Sequence, residues 1–312
     1  MNTELLKTLW SSFTDYQAWL DKQPVSAHTR RAYRSRINHF LVYLATSGGP
    51  YMDVLKSARV RDRAVRDYKE HLRDDLRASA STINTTLATL DHFFKYLGLG
   101  EPDVERAELR KEEPTVLTGS EQQLLLRAVK RSRSRKDRAI MLALMYTGMR
   151  VGECAALDLE DIDFSQPVAV LNIRSARENR RRQIGLNNET AFALSEWIEE
   201  RNAKYGDSQD KALFVNRQGK RISTAGLDLI VRKTGRQADL ELSTGVLRHT
   251  CLMSLFAGGS DVGDVARVGG HKRRETTKRY RPVSITIAEE PSDTAAADSH
   301  SQLAKLESFD EP

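Results

Sequence analysis

The chain has 312 residues, 29% of them charged and 7% aromatic, with a formal net charge of +6 at pH 7. That length holds two domains with substantial cores, and the composition is that of a soluble globular chain. No run approaches the ~18 apolar residues of a membrane helix, and the opening MNTELLKTLW has no apolar signal region, so a cytoplasmic protein is expected.

The first 100 residues read as four or five helices. TRRAYRSRINHFLVYL places Tyr33, Ile37, Phe40, Leu41 and Leu44 on one stripe at helical spacing, with Arg30, Arg31, Arg34 and Arg36 on the opposite face. RVRDRAVRDYKEHLRDDL is a second charged amphipathic helix. STINTTLATLDHFFKYLGLG repeats the stripe with Ile83, Leu87, Leu90, Phe94 and Leu97, with Ser81 or Thr82 to cap its start and Gly98 or Gly100 to end it. Residues 101–118 carry two prolines and a dense charge run, the composition of a linker. A second domain, 119–288, opens with a helix capped by Thr118 or Ser120. KDRAIMLALMYTGMR is an apolar helix stopped by Gly148. PVAVLNIR and RQIGL read as strands of a hairpin around the polar turn SARENRR, and LFVNRQGKRIS as another short β turn. Helices return at ETAFALSEWIEERNAKYG, AGLDLIVRKTGRQA and LRHTCLMSLFAGG.

The last stretch, 289–312, holds seven acids and one base, so the preceding 288 residues carry 48 bases against 36 acids, a net of +12. A basic body favours a polyanion, and nucleic acid is the commonest one. The tail is low in apolar residues, but Leu303, Leu306 and Phe309 would let it dock as a short helix. Cys154 and Cys251 sit in apolar surroundings and read as reduced core residues. No acidic or Cys/His cluster has metal-ligand spacing, and no cofactor is implied.

Three separated stretches place Arg, His and Tyr just past helices: YTGMRVGE, LRHT and GGHKRRETTKRY. Two arginines, a histidine and a tyrosine without a metal suit phosphoryl transfer at a phosphodiester. The guanidiniums fork onto non-bridging oxygens and neutralise charge that builds in the transition state. The tyrosine supplies an oxygen nucleophile for a covalent intermediate, and an acid protonates the leaving sugar oxygen. Each residue also has an ordinary alternative: a surface tyrosine at 280, an ion pair of Arg150 with Glu153 or Asp161, a cap or core histidine at 271, and a core hydrogen bond for His249.

Here the chain resembles the tyrosine recombinase (phage integrase) family. LMYTGMRVGECAALDLEDID resembles its first-arginine motif, with Arg150 in the arginine position and Glu153, Leu157 and Asp161 as followers. LRHT resembles the second-arginine motif, giving Arg248, and GGHKRRETTKRY the last motif, giving His271 and Tyr280. TRRAYRSRINHFLVYL and SASTINTTLATLDHFFKYLG resemble the helical core-binding domain, here 1–100. The resemblance implies a mainly α fold with a small antiparallel sheet, its two domains closing as a C-clamp on duplex DNA. It implies site-specific cutting and rejoining of DNA through a 3′-phosphotyrosyl intermediate, carried out by four protomers on two sites, with C-terminal exchange between neighbours and accessory DNA-bending proteins as further partners. The protein would be nucleoid-associated when on DNA. Catalysis would fall to Tyr280, Arg150, Arg248 and His271, with Arg177 in the hairpin at the place of the family's general-acid lysine. DNA contacts would come from Arg30, Arg34, Thr82, Arg174, Arg180, Lys272 and Arg273.

Three positions depart from the pattern. Gly245 stands where the second motif has a histidine, Arg177 where the lysine belongs, and Gly269 where an apolar residue is normal. Arginine binds phosphate but donates protons poorly, because its pKa stays above ~12. The departures leave open a catalytically weakened or inactive homologue acting as a DNA-binding accessory protein. The same chemistry with another outcome, such as DNA relaxation or hairpin resolution, is a third reading.

Overall fold

The structure, a computed structural model, describes residues 3–47, 51–109, 113–174, 181–206, 210–278 and 280. The chain forms two compact units, Met1–Glu112 and Glu113–Pro312. It is mainly helical with a small antiparallel sheet, as expected. No helix among the described residues is long and apolar enough to cross a membrane.

The first unit holds α1 (Thr3–Asp21), α2 (Ala27–Thr46), α3 (Ala58–Asp74) and α4 (Ala80–Tyr96). The apolar stripes face one another: Ile37, Phe40, Leu41 and Leu44 of α2 and Ile83, Leu87, Leu90 and Phe94 of α4 are buried in one core. Tyr33 and Leu97 flank it half-buried. The cap of α4 is Ser79, not Ser81 or Thr82. Its hydroxyl accepts from the Thr82 N–H at 3.2 Å, the cap-to-N3 reach of a short hydroxyl. Beyond the helix Gly98 takes φ 74°, open to a residue without Cβ, and the Leu99 N–H returns to the Phe94 carbonyl at 3.0 Å.

The expected linker divides. Residues 101–109 lie along the first unit, where Asn84 donates to the Ala107 carbonyl at 2.8 Å and accepts from its N–H at 2.7 Å. Val104 and Ala107 pack against the helical core, and these two small apolar residues outweigh the surrounding charge run. Leu117 belongs to the second core, its N–H held by the Thr250 hydroxyl at 2.9 Å.

The second unit begins with α5 (Gly119–Lys130), opened by a reciprocal capping box between Thr118 and Glu121. Next come α6 (Arg135–Thr147), α7 (Val151–Ala156), a 3₁₀ turn at Leu159–Asp161, β1 (Ile162–Asp163), β2 (Val170–Arg174) and β3 (Arg181–Gly185). The strands run antiparallel in the order β1-β2-β3, with Leu171 opposite both Ile162 and Ile184. The chain continues through α8 (Asn188–Tyr205), α9 (Thr224–Gln237), α10 (Thr244–Ala257), α11 (Val262–Gly269) and α12 (Arg274–Lys278). LFVNRQGKRIS forms a β turn closed by a Val215–Arg221 bridge. The core runs through α6, with Ile140, Met141, Leu142, Ala143 and Leu144 all buried. Cys154 and Cys251 are buried free thiols, pushed up to about 12 by burial above all. Arg177, Arg180 and the docking segment 289–312 lie outside the described residues.

Candidate active site

The apolar helix α6 ends at Gly148, whose φ of 57° turns the chain through a left-handed step. A Cβ there would lie 3.3 Å from the Cys251 Sγ and 3.4 Å from the Leu252 Cδ2, so the turn seats tightly on α10. Two residues on, Arg150 is the N-cap of α7. Its backbone N–H and its Nη1 donate to the Glu153 carboxylate at 2.8 and 3.0 Å, and its Nη2 to the Gly270 carbonyl at 2.9 Å. The ion pair considered from the sequence therefore forms, and it aims the half-exposed guanidinium at the loop after α11.

Glu153 is buried and accepts a second fork. Arg182 of β3 donates Nη1 and Nη2 to its two oxygens at 3.0 and 2.7 Å, and Nε to the Val268 carbonyl at 2.9 Å. Burial alone would raise the Glu153 carboxyl. The Arg182 fork, with help from Arg150, outweighs it and holds the group below the usual carboxylate range.

Arg248, in the first half of α10, is 8% exposed. It donates to the Gly148 carbonyl, to the Gly269 carbonyl at 2.5 Å and to His271 Nε2 at 2.8 Å. Among the described residues no carboxylate bonds to it. Burial, and next the charge of Arg150, lower its pKa to about 10, which leaves it charged at neutral pH. Because a guanidinium only donates, Nε2 of His271 is the acceptor. The ring is then neutral and Nδ1 donates to the buried Thr277 hydroxyl of α12 at 2.9 Å.

Tyr280 is 3% exposed. Its ring lies parallel to His271, with centroids 5.8 Å apart and planes 6° apart. His249 lies on it at 5.5 Å and 53°. The Tyr280 N–H bonds the Thr277 carbonyl at 2.9 Å, so one threonine places both the histidine and the tyrosine. The structure thus brings Arg150, Arg248, His271 and Tyr280 together. Three guanidiniums (Arg150, Arg182 and Arg248) stand around the single carboxylate Glu153, an excess of positive charge that an anion would neutralise.

The glycine departures have local meaning. At Gly269 a Cβ would lie 2.9 Å from the His271 ring, so the imidazole occupies the space a side chain would take. Gly270, at φ 58°, lets the Arg150 and Arg182 guanidiniums close on its backbone. At Gly245 an added Cβ would meet only the Ser243 Oγ, at 3.4 Å, so the site has room for a side chain.

The expected DNA contacts are spread out. Arg30 and Arg34 both reach the end of α1, Arg30 to the Asp21 and Gln23 carbonyls and Arg34 to the Asp21 carboxylate at 2.5 Å. Thr82 is exposed on the first turn of α4, and Lys272 and Arg273 are exposed beside His271. Arg174 is held by Asp158 and Asp161, and those bonds raise its pKa. Two positioning residues escaped the sequence reading. Arg182 looked like one more charge of a solvated hairpin, and Thr277 carried no signal beyond standing three residues before Tyr280. Among the described residues no group of His, Cys, Asp and Glu side chains could hold a metal ion.

Residues 115–285 match the phage integrase family, and residues 13–99 match the phage integrase N-terminal SAM-like domain. A tyrosine recombinase XerC of Roseiflexus sp. (strain RS-1) is 27% identical over 296 residues, covering 87% of this chain and 88% of that protein. In fold, the chain is similar to the XerH recombinase bound to its difH substrate, with a TM-score of 0.65, 18% identity, and 81% of this chain and 76% of that one covered. A lambda integrase dimer bound to a core site gives a TM-score of 0.67 at 16% identity over 92% of this chain and 80% of that one. With both family domains matched in order along one polypeptide, the protein belongs to the phage integrase family, the tyrosine-type site-specific recombinases.

Proposed function

We propose that the protein cuts and rejoins duplex DNA at a specific site, with Tyr280 as the nucleophile. The phenolic oxygen attacks the phosphorus, the P–O5′ bond breaks, and a 3′-phosphotyrosyl link and a free 5′-hydroxyl result. A 5′-hydroxyl of a partner duplex then reverses the step, and because the covalent link keeps the bond energy no ATP is needed. Arg150 and Arg248 bind the non-bridging oxygens. His271 joins them once the phosphate is in place. Its Nε2 is an acceptor in the free protein, and the anion's charge favours the imidazolium that donates there. Arg177 contributes phosphate binding from the hairpin.

The observation that carries this reading is the convergence of Arg150, Arg248, His271 and Tyr280 around a positive centre, with Tyr280 lying parallel to His271. That convergence speaks against a decayed accessory protein. The chain would work in the cytoplasm, on DNA, as a tetramer on two duplex sites; a protein of the same fold, lambda integrase, is described as a tetramer bound to a Holliday junction. Arg30, Arg34, Thr82, Lys272 and Arg273 would hold the backbone, and Arg174 and Arg180 would flank it from the hairpin.

The test is covalent capture from a pool of nicked duplexes with a randomised core. Wild type should yield a protein–DNA adduct enriched in one sequence, and Tyr280→Phe none. No adduct from wild type would refute the recombinase reading, and an adduct that persists in Tyr280→Phe would refute the assignment of the nucleophile.

A further inference from the structure

Two glycines close α11, and only the second has a backbone reason to be glycine. Gly270 takes φ 58°, the left-handed step that ends the helix. Gly269 is the last residue of the helix itself, buried and outside the left-handed region. Alanine would serve a helical backbone better there. The smallness of Gly269 therefore answers to its surroundings. A Cβ at 269 would meet three atoms of one side chain first, the His271 Cε1, Nε2 and Nδ1 at 2.9, 3.1 and 3.2 Å. The imidazole rests its nitrogen-bearing edge on the glycine.

The backbone has little room to back away. The successive carbonyls of Val268, Gly269 and Gly270 accept from three different guanidiniums, Arg182, Arg248 and Arg150, at 2.9, 2.5 and 2.9 Å. The His271 N–H is tied to the Ala266 carbonyl at 2.9 Å. On this strip the ring is placed from both nitrogens. Nε2 accepts from Arg248 Nη2 at 2.8 Å, and Nδ1 bonds the buried Thr277 hydroxyl at 2.9 Å. The same Arg248 Nη2 donates to the Gly269 carbonyl. It is held jointly by the backbone of residue 269 and by the ring that fills the place of its side chain.

We infer that Gly269 is a positioning residue of the phosphate-binding centre. The side chain it lacks is the seat of the His271 imidazole, and that seat sets the ring against Arg248. A side chain at 269 displaces the ring, because a ring on two rotatable bonds gives way before a backbone held at three successive carbonyls. Nε2 then leaves Arg248, and Nδ1 leaves Thr277. The inference rests on His271 and Arg248 being groups that hold the phosphate. Gly269 itself touches no reacting atom.

Two readouts test it. The first is the nitrogen-15 spectrum of the His271 ring in DNA-free protein. Wild type should show a neutral ring with its proton on Nδ1 and Nε2 as a hydrogen-bond acceptor. In Gly269→Ala both ring nitrogens should shift, and the Nδ1 proton should exchange with water faster. The second is single-turnover adduct formation on the nicked duplex most enriched by covalent capture. Gly269→Ala should slow it by ~10²-fold, the typical cost of misplacing a reacting group by about 1 Å. In a His271→Ala background no ring is left to displace. The same substitution should there cost less than about threefold, a coupling that a purely structural role would not produce.

The inference is overturned if Gly269→Ala keeps the wild-type ring signals, or if its rate stays within about threefold of wild type. It is also overturned if Gly269→Ala costs as much rate or melting temperature with His271 removed as with it present, since that marks a helix-packing role. Failure of wild type to form any adduct would sink the recombinase reading, while the ring signals would still decide the seat of His271.

Discussion

Replacing Arg248 with lysine keeps the charge but puts a cation that loses its proton more readily into a site that already disfavours one. The site pulls the arginine down to about 10, first by burial and then by the Arg150 charge, with Glu153 and Tyr280 acting the other way and Arg182 adding to the depression. The same burial and the same Arg150 charge lower a lysine too, and a lysine starts lower than an arginine. A cation whose pKa is lowered keeps its charge at low pH and loses it as pH rises, so the variant sheds its charge at a lower pH than Arg248 does. Geometry adds a second, pH-independent loss. One guanidinium spans the carbonyls of Gly148 and Gly269 and the His271 ring, and a point-like ammonium cannot serve all three and still fork onto a phosphate. Losing a preorganised donor costs ~10²–10³-fold. Arg248→Lys should therefore form adduct ~10²–10³-fold more slowly than wild type at pH 7, and the variant-to-wild-type ratio should fall further as pH rises from 7 to 9. Taking the ratio cancels groups that titrate in both proteins. A variant within tenfold of wild type at pH 7, or a ratio flat from pH 7 to 9, would refute the account of Arg248 as a buried charge kept for the phosphate.

Three further outcomes follow from the same geometry. Arg182→Gln strips the buried Glu153 of its fork and leaves Arg150 as its cationic partner. Breaking a buried pair costs ~3 kcal/mol, so the melting temperature should fall by ~6–12 °C, and a drop under about 2 °C would show that the fork is not structural. Because Glu153 is held below its ordinary pKa, its stabilisation is present above the carboxylate range and lost as pH falls through the folded value; Arg182→Gln should be less sensitive to acid over that window. Gly148→Ala forces a Cβ into the left-handed turn and against Cys251 and Leu252, and should cost ~1–2 kcal/mol in urea unfolding. An unchanged midpoint would argue that the turn relaxes freely. With both thiols pushed up to about 12, Cys154 and Cys251 should resist alkylation at pH 8 until the protein is unfolded; fast labelling of native protein would contradict their burial.

Much of the fold was legible because helices α2, α4, α6 and α8 write their buried face at a fixed period, and a period survives whatever the neighbours are. What failed was local. Ser79 rather than Ser81 caps α4, since a run of hydroxyl residues offers several caps and only the backbone turn selects one. Residues 101–109 looked like linker because charge dominates there, yet Val104 and Ala107 suffice to lay the strip on the first unit. The short helices α7, α11 and α12 span at most two or three turns, too few for periodicity to register.

The candidate site was legible in the side chains that converge and illegible in what holds them. Arg150, Arg248, His271 and Tyr280 stand out because their spacing and chemistry are unusual together. Their acceptors are largely backbone carbonyls of Gly148, Gly269 and Gly270, and a carbonyl has no letter in a sequence. Arg182 shows the other side of the difficulty. It is one of five arginines between 174 and 182, and only its inward place on β3, 11% exposed, separates it from a surface charge. Glu153 binds Arg150 and Arg182 at once, while Arg150 also reaches the Gly270 carbonyl and Arg182 the Val268 carbonyl. Strand β3, helix α7 and the loop after α11 therefore meet on one buried carboxylate, and none of those joins is written in the spacing of the sequence.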